Sequence, residues 1–281
     1  MGLKAIAYAG YKTGKTVFGL TMAELGPIGV IDNEGRHQWY TQPAPPSVPR
    51  REFPFDDPRV VRTDLDMLAV NPVLAASFAA CHVVYLVQTV DLERVRLAVR
   101  AFNRDPDVVG IDIDSGSIMW DMLMSTRDTS DERKSMLSWA PVKEWDRLFK
   151  IGLTAGQKHC LLIAHAQDKL KMVKRPDGSA EFLVEKIVPR LEKYSGHWAD
   201  IVVSFDMPDG ATHPSLIVVD EGTGGAGGLR RGVRMDNPTF KKVVDRLGRL
   251  PDSTPVPEAD VAYRNKLETQ RAVAATQKER K

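Results

Sequence analysis

The stretch Ala9-Gly10-Tyr11-Lys12-Thr13-Gly14-Lys15-Thr16 restricts what this chain can become more than any other. It follows a short apolar run, Leu3 to Ala9, that reads as a buried strand. It opens a helical pattern from Thr16 to Leu25. Strand, glycine-bearing loop and helix in that order form the setting of a phosphate-binding loop. Each residue type has a task there. Gly14 lets the backbone curl so that successive N–H groups point at phosphate oxygens. The first turn of the helix adds unpaired N–H groups. Lys15 reaches the β- and γ-phosphates as a point charge, and the Thr16 hydroxyl suits Mg²⁺, which keeps its remaining positions for water and phosphate. Gly10, Tyr11, Lys12, Thr13, Gly14, Lys15, Thr16 and Val17 are the candidate contacts for ATP. The first position holds alanine, so the match is to the looser form of the pattern. From average composition that form arises by chance in roughly one chain in fifty of this length.

The bulk numbers allow one large α/β domain or a domain with appendages in 281 residues. A net charge of +2 does not announce a nucleic-acid binder, so any such contact has to be local. Cys81 and Cys160 both lie in apolar runs, where buried free thiols are expected. No stretch is long and apolar enough to cross a membrane, and the cytoplasm is the expected compartment.

Continuous apolar runs mark parallel strands covered on both faces. Pro27 to Glu34, His82 to Gln88 and Cys160 to Gln167 are three of these, and Ala199 to Phe205 and Ser215 to Val219 read as further strands. Asp107 to Asp114 is another run, and it carries acids to its C-terminal end, where ligands bind in open α/β sheets. An acid there holds the Mg²⁺ shell beside Thr16. Asp112 and Asp114 point the same way because side chains alternate along a strand. Asp114, nearer the strand end, is favoured, with Asp112 as the second candidate. Asp91 caps a helix to about Arg104, with Leu92, Val95, Leu97, Val99 and Phe102 as its apolar positions. Ser138 to Lys158 reads as an amphipathic helix with Trp145, Leu148, Phe149 and Gly152 on one side.

Three stretches fit no buried element. Thr41 to Pro58 is too rich in proline for regular structure, and residues 41–80 are expected as an irregular insertion, although Leu65 to Ala80 has helical composition. Asp168 to Val188 reads as a β-hairpin around Asp177-Gly178. Its Lys169, Lys171, Lys174 and Arg175 are candidates for tracking a nucleic-acid backbone. Arg230, Arg231 and Arg234 follow the glycine-rich loop Glu221 to Gly228 and are candidates for reaching DNA phosphate or a neighbouring subunit's nucleotide. Thr239 to Leu247 reads as a short helix. The expected division is a domain over residues 1–250, then a linker and charged tail over 251–281.

Hydrolysis also needs a group to orient the attacking water. Glu34 closes the second strand. Where an extra strand separates the strands bearing the phosphate loop and the Mg²⁺ acid, that position lies across from the γ-phosphate. The run Val30-Ile31-Asp32-Asn33-Glu34 resembles the strand of RecA-type recombinases that ends in Ile-Asp-Ala-Glu. Val109 to Ser115 resembles their Mg²⁺-acid strand. Ile163 to Gln167 resembles the strand whose terminal polar residue senses the γ-phosphate, which makes His165 and Gln167 sensor candidates. The order and spacing from Leu3 to Phe205 are most similar to the compact RecA-like ATPases of bacteriophages, associated with single-strand annealing and recombination. That resemblance implies a RecA-like P-loop NTPase fold, α/β, with a mostly parallel central sheet flanked by helices. It also implies ATP hydrolysis with Mg²⁺, Glu34 and Lys15 as catalytic groups, and single-stranded DNA as partner. A homo-oligomeric ring or filament and a place in the bacterial host cytoplasm go with it. Two other readings stay open: a phage P-loop motor for DNA packaging or helicase loading, and a nucleotide-gated adaptor with little turnover.

Overall fold

The computed structural model describes residues 2–37, 41–43, 59–63, 83–127, 129–154, 156–174, 180–192, 198–207, 210–221 and 229–248. In chain order its strands are β1 (Lys4–Ala9), β2 (Ile28–Asp32), β3 (Thr41–Pro43), β4 (Arg59–Thr63), β5 (Val83–Gln88), β6 (Gly110–Asp114), β7 (His159–Lys174), β8 (Ala180–Pro189), β9 (Ile201–Asp206), β10 (Ser215–Glu221) and β11 (Arg234–Asp236). Its helices are α1 (Lys15–Leu20), α2 (Leu92–Arg104), α3 (Gly116–Ser125), α4 (Glu132–Leu137), α5 (Trp139–Thr154) and α6 (Phe240–Gly248).

These strands make one sheet in the order β11-β10-β9-β1-β7-β6-β2-β5-β4-β3, with β8 paired to β7 off that path. The six strands from β9 to β5 run parallel, and β10, β11, β4 and β3 extend the edges antiparallel. β7 therefore lies between β1, which leads into the phosphate loop, and β6, which carries the acids. The mostly parallel, helix-flanked α/β sheet with a strand between those of the loop and the acids is the architecture expected from the sequence.

Alternation along the central strands explains how both faces are filled. Ala5, Ala7, Val30, Leu161 and Ile163 pack with Phe18 and Leu20 of α1 on one side. Ile6, Tyr8, Ile31, Ile111, Ile113 and Leu162 pack with Phe102 of α2 and Phe149 of α5 on the other. In β6 the isoleucines thus face α2 and α5, which leaves Asp112 and Asp114 on the side of α1.

Several elements differ from the sequence reading. The first helix stops at Leu20 and continues as a 3₁₀ turn, Thr21–Leu25. Thr21 explains the change: its hydroxyl donates to the Phe18 carbonyl (2.6 Å) and accepts from the Phe240 N–H (2.7 Å). Such a back-bond competes with the helical ladder. On α2, Asp91 caps as expected, accepting from the N–H groups of Glu93 and Arg94. Leu97, however, points to solvent, while Ala98 takes a core position. On α5, Trp145 stacks on Phe149 (centroids 5.2 Å apart), but Leu148 is outward. The stretch read as irregular contributes β3 and β4, an antiparallel pair at the sheet edge. Pro43 is tolerated there because an edge strand need not donate on both sides. α3, α4 and β11 have no counterpart in the sequence reading. The helix expected over 65–80, Cys81, the Asp177-Gly178 turn, Arg175, the glycine-rich loop over 222–228, and the linker and tail over 251–281 lie outside the described residues.

Candidate nucleotide-binding site

The phosphate loop leaves β1 and turns through two residues with positive φ, Lys12 (58°) and Gly14 (81°). Alternation of left- and right-handed backbone is what turns successive N–H groups to one side. The Thr13 hydroxyl donates to the Gly10 carbonyl (3.2 Å) and steadies the turn. Lys15 is buried, and its ammonium donates to the carbonyls of Gly10 (2.6 Å) and Ala9 (3.2 Å). Burial lowers its pKa, Asp114 and Glu34 counter that, and Arg36 adds to it. All three charges therefore lie within electrostatic reach of this lysine.

Of the two acids on β6, the structure brings one to the loop. The Thr16 hydroxyl donates to Asp114 Oδ2 at 2.6 Å. Burial pushes Asp114 up to about 6, against the opposing pull of the His37 charge and the Thr16 hydroxyl. Asp112, the other Mg²⁺ candidate from the sequence, does not contact Thr16. It lies beneath α1, where a Cβ on Gly19 would fall 2.1 Å from its Oδ2. It faces His37, whose Nε2 is 3.6 Å away.

Sequence reading missed that histidine altogether. His37 is completely buried between two carboxylates, 3.5 Å from Asp32 on its other side. Both distances are ion-pair contacts longer than hydrogen bonds. Burial opposes its charge, yet the neighbouring Asp112 and Asp32 push His37 up to about 10. Burial would likewise raise Asp32, but His37 and the Gln88 amide hold it down to about 2. Asp32 also organises the turn that follows β2. Its Oδ1 accepts from the N–H groups of Glu34 (3.1 Å), Gly35 (2.7 Å) and Arg36 (3.3 Å), and its Oδ2 from His37 (3.1 Å). Asn33 ties the same turn to β6, its N–H donating to the Asp114 carbonyl at 2.7 Å. The signal was present in Asp-Asn-Glu-Gly-Arg-His, where an acid precedes a glycine-containing turn.

That turn delivers Glu34, whose side chain is only 4% exposed. His165 Nε2 approaches Glu34 Oε1 at 2.6 Å, and Arg36 Nε approaches Oε2 at 2.7 Å. The imidazole contact is close but falls outside hydrogen-bond alignment. Tyr11 of the loop completes the group, 70% exposed, with the Arg36 guanidinium 5.7 Å above its ring and His165 5.3 Å away. Of the two sensor candidates, His165 is therefore at the carboxylate. Gln167 is two residues further out, exposed where β7 leaves the sheet.

β7 runs on past the sheet to form a two-stranded arm with β8, register Asp168↔Ile187 to Lys174↔Ala180, broken by a bulge after Lys169. Lys169 and Lys171 are exposed, Lys169 pairing with Glu185 at 2.7 Å. Leu170, Met172, Phe182 and Val184 are all more than half exposed on the arm. Arg230 and Arg231 are exposed after Leu229. Arg234 lies on β11, its guanidinium donating to Ser215 Oγ (2.9 Å) and flanked by Asp236 and Asp206.

Fold and site together define an α/β protein with a phosphate-loop-type site at the C-terminal ends of its central parallel strands. Among solved structures the chain is similar to one described as the crystal structure of the RadB recombinase, with a TM-score of 0.46 and 13% identity over 84% of this chain and 86% of that one. No protein-family model matches the sequence. No curated protein matches it.

Proposed function

We propose that the chain is a Mg²⁺-dependent ATPase of the RecA-like kind that works on single-stranded DNA in recombination or annealing. The observation that carries the reading is the convergence of three strand ends. β1 supplies Lys15 and Thr16, β6 supplies Asp114 against Thr16, and the turn after β2 supplies a shielded carboxylate, Glu34, on the same side. Thr16 and Asp114 fit Mg²⁺: they are two hard oxygen donors 2.6 Å apart, and this ion binds through one or two protein oxygens while retaining water. When bound, the ion would neutralise charge developing on the phosphates.

The chain's own groups have distinct tasks in this reading. The backbone N–H groups of Gly10 to Val17 cradle the phosphates. The Lys15 ammonium moves from its carbonyl partners to phosphate oxygen. Glu34 takes a proton from the attacking water, and its low exposure keeps other water from competing. His165 stands next to that carboxylate and reports the terminal phosphate along β7 to the arm. Lys169 and Lys171, with Lys174 and Arg175 beyond them, would follow a phosphate backbone, while Phe182 and Met172 offer surfaces for unstacked bases. Assembly into a ring or filament, a phage origin and residence in the host cytoplasm belong to the same proposal. Among the described residues no helix is long and apolar enough to cross a membrane.

The test is phosphate release with and without single-stranded DNA. Wild-type chain should hydrolyse ATP and be stimulated by DNA. Lys15→Ala should lose nucleotide binding, and Glu34→Gln should bind ATP but turn over about 10²–10⁴-fold more slowly. A Glu34→Gln rate equal to wild type would remove this carboxylate from the mechanism. The adaptor reading has one observation of its own: Glu34 is engaged by the Arg36 guanidinium and flanked by the His165 ring, which suits slow turnover. Binding without measurable hydrolysis in any DNA condition would favour it.

A further inference from the structure

We propose that Arg36 is a γ-phosphate ligand supplied in cis, and that its transfer from Glu34 to the phosphate frees that carboxylate to act on water. The inference rests on the ATPase reading and adds a residue which that reading does not use. Its first support is position. Arg36 is held by backbone to the Glu34 turn, through its N–H on Asp32 (3.3 Å), so the turn is fixed and only the side chain is free to swing. That side chain is 44% exposed, whereas its partner Glu34 is 4% exposed. The guanidinium also sits above Tyr11, a residue of the phosphate loop itself.

Chemistry supplies the second support. Glu34 has a partner on each oxygen, the His165 imidazole at Oε1 and the Arg36 guanidinium at Oε2. An oxygen held by a guanidinium at 2.7 Å cannot reach a water until that partner leaves. A terminal phosphate carries more charge than a carboxylate and matches the planar guanidinium fork in a bidentate way. A triphosphate lying along Lys15 therefore competes with Glu34 for Arg36, and a diphosphate, lacking that terminal group, does not. The site would read the third phosphate before committing its base.

Equilibrium binding of ADP and of a non-hydrolysable ATP analogue, each with Mg²⁺, tests this without reference to turnover. Arg36→Ala should weaken the analogue by about 10–100-fold, the span of a charged hydrogen bond, and leave ADP within twofold. Arg36→Lys should recover part of the loss. Glu34→Gln, which releases Arg36 from its ion pair, should tighten the analogue and leave ADP unchanged; adding Arg36→Ala should remove that gain. Unchanged analogue affinity in Arg36→Ala, or equal loss for both nucleotides in a variant that melts like wild type, overturns the assignment and leaves the ATPase reading standing. A wild-type chain that binds neither nucleotide removes both.

Discussion

Replacing His37 with glutamine tests the deepest part of the site. The ring is completely buried, 3.5 Å from Asp32 and 3.6 Å from Asp112. At an effective dielectric near 20, each contact corresponds to roughly 4–5 kcal/mol of attraction, before desolvation is subtracted. The two acids will not suffer equally. Asp32 keeps four backbone N–H donors and the Gln88 amide. Neither Asp112 oxygen accepts a hydrogen bond among the described residues. The loss thus leaves one uncompensated buried carboxylate, a change of about 3–5 kcal/mol in a domain whose total stability is about 5–15 kcal/mol. Denaturant unfolding at pH 7 should show this loss. Adding Asp112→Asn should recover most of it, and adding Asp32→Asn should not. The pH dependence has a definite sign. His37 is raised to about 10 from 6.5, so its contribution is complete below about pH 6.5 and is lost as pH rises through 10. The wild-type curve should fall toward the variant's between pH 8 and 10, by roughly 1.4 kcal/mol per unit. A deficit under 1 kcal/mol at pH 7, or one that stays constant to pH 10, would refute the buried cation.

Two further substitutions probe the same face of the sheet. Gly19→Ala would set a Cβ 2.1 Å from Asp112 Oδ2 and 2.8 Å from its Cγ. Crowding of about 1–3 kcal/mol should outweigh the gain of about 1 kcal/mol in helix propensity, giving a lower melting temperature and weaker Mg²⁺-dependent nucleotide binding. Glu24 is half-buried, and burial pushes it up to about 7 from 4.5 despite Lys241 and Lys242 nearby. Its ionised form therefore costs stability, and the cost disappears as pH falls through 7 toward 4.5. Glu24→Gln should stabilise the chain by about 1 kcal/mol at pH 8, after discounting for partial exposure, and by nothing measurable at pH 4.5. Equal effects at both pH values would sink that account.

How far the sequence could be read follows from how local each signal was. β1, β2, β5, β6 and β9 were legible because a parallel strand covered on both faces must be continuously apolar. The strand-loop-helix order around Gly14, Lys15 and Thr16 was legible because its glycines and Gly-Lys-Thr end are contiguous. Strand-end position ranks Asp114 above Asp112 in sequence, while what separates their surroundings, Gly19 lying over one and Thr16 reaching the other, is tertiary. His37 was invisible for the same reason: a lone histidine after a strand becomes a buried cation only when β2 and β6 are neighbours. The extension of β7 into the arm was half legible. Its apolar core part and its hairpin part were read separately, since the switch from continuous to mixed patterning marks where a strand leaves the sheet, not where it ends. β3 escaped because proline discourages regular structure on average, while its place at the sheet edge permits Pro43.

The turn after β2 then reads as two layers with opposite requirements. Asp32 and His37 point down and are buried with Asp112, so their charges are locked by geometry and cannot move without unfolding cost. Glu34 and Arg36 come from between them in sequence and join His165 and Lys15 at the loop, where exposure rises from 4% at Glu34 to 44% at Arg36. A charged group can change partners only if the move does not strand a buried charge. The lower layer meets that condition for the upper one: with Asp32 accepting four N–H groups, the backbone of the turn holds still while Arg36 exchanges one anion for another. Substitutions should divide the same way. Those in Asp32, His37 and Asp112 should change stability first and nucleotide affinity only as a consequence, whereas Arg36 and Glu34 should alter the preference for triphosphate over diphosphate in a chain that melts normally.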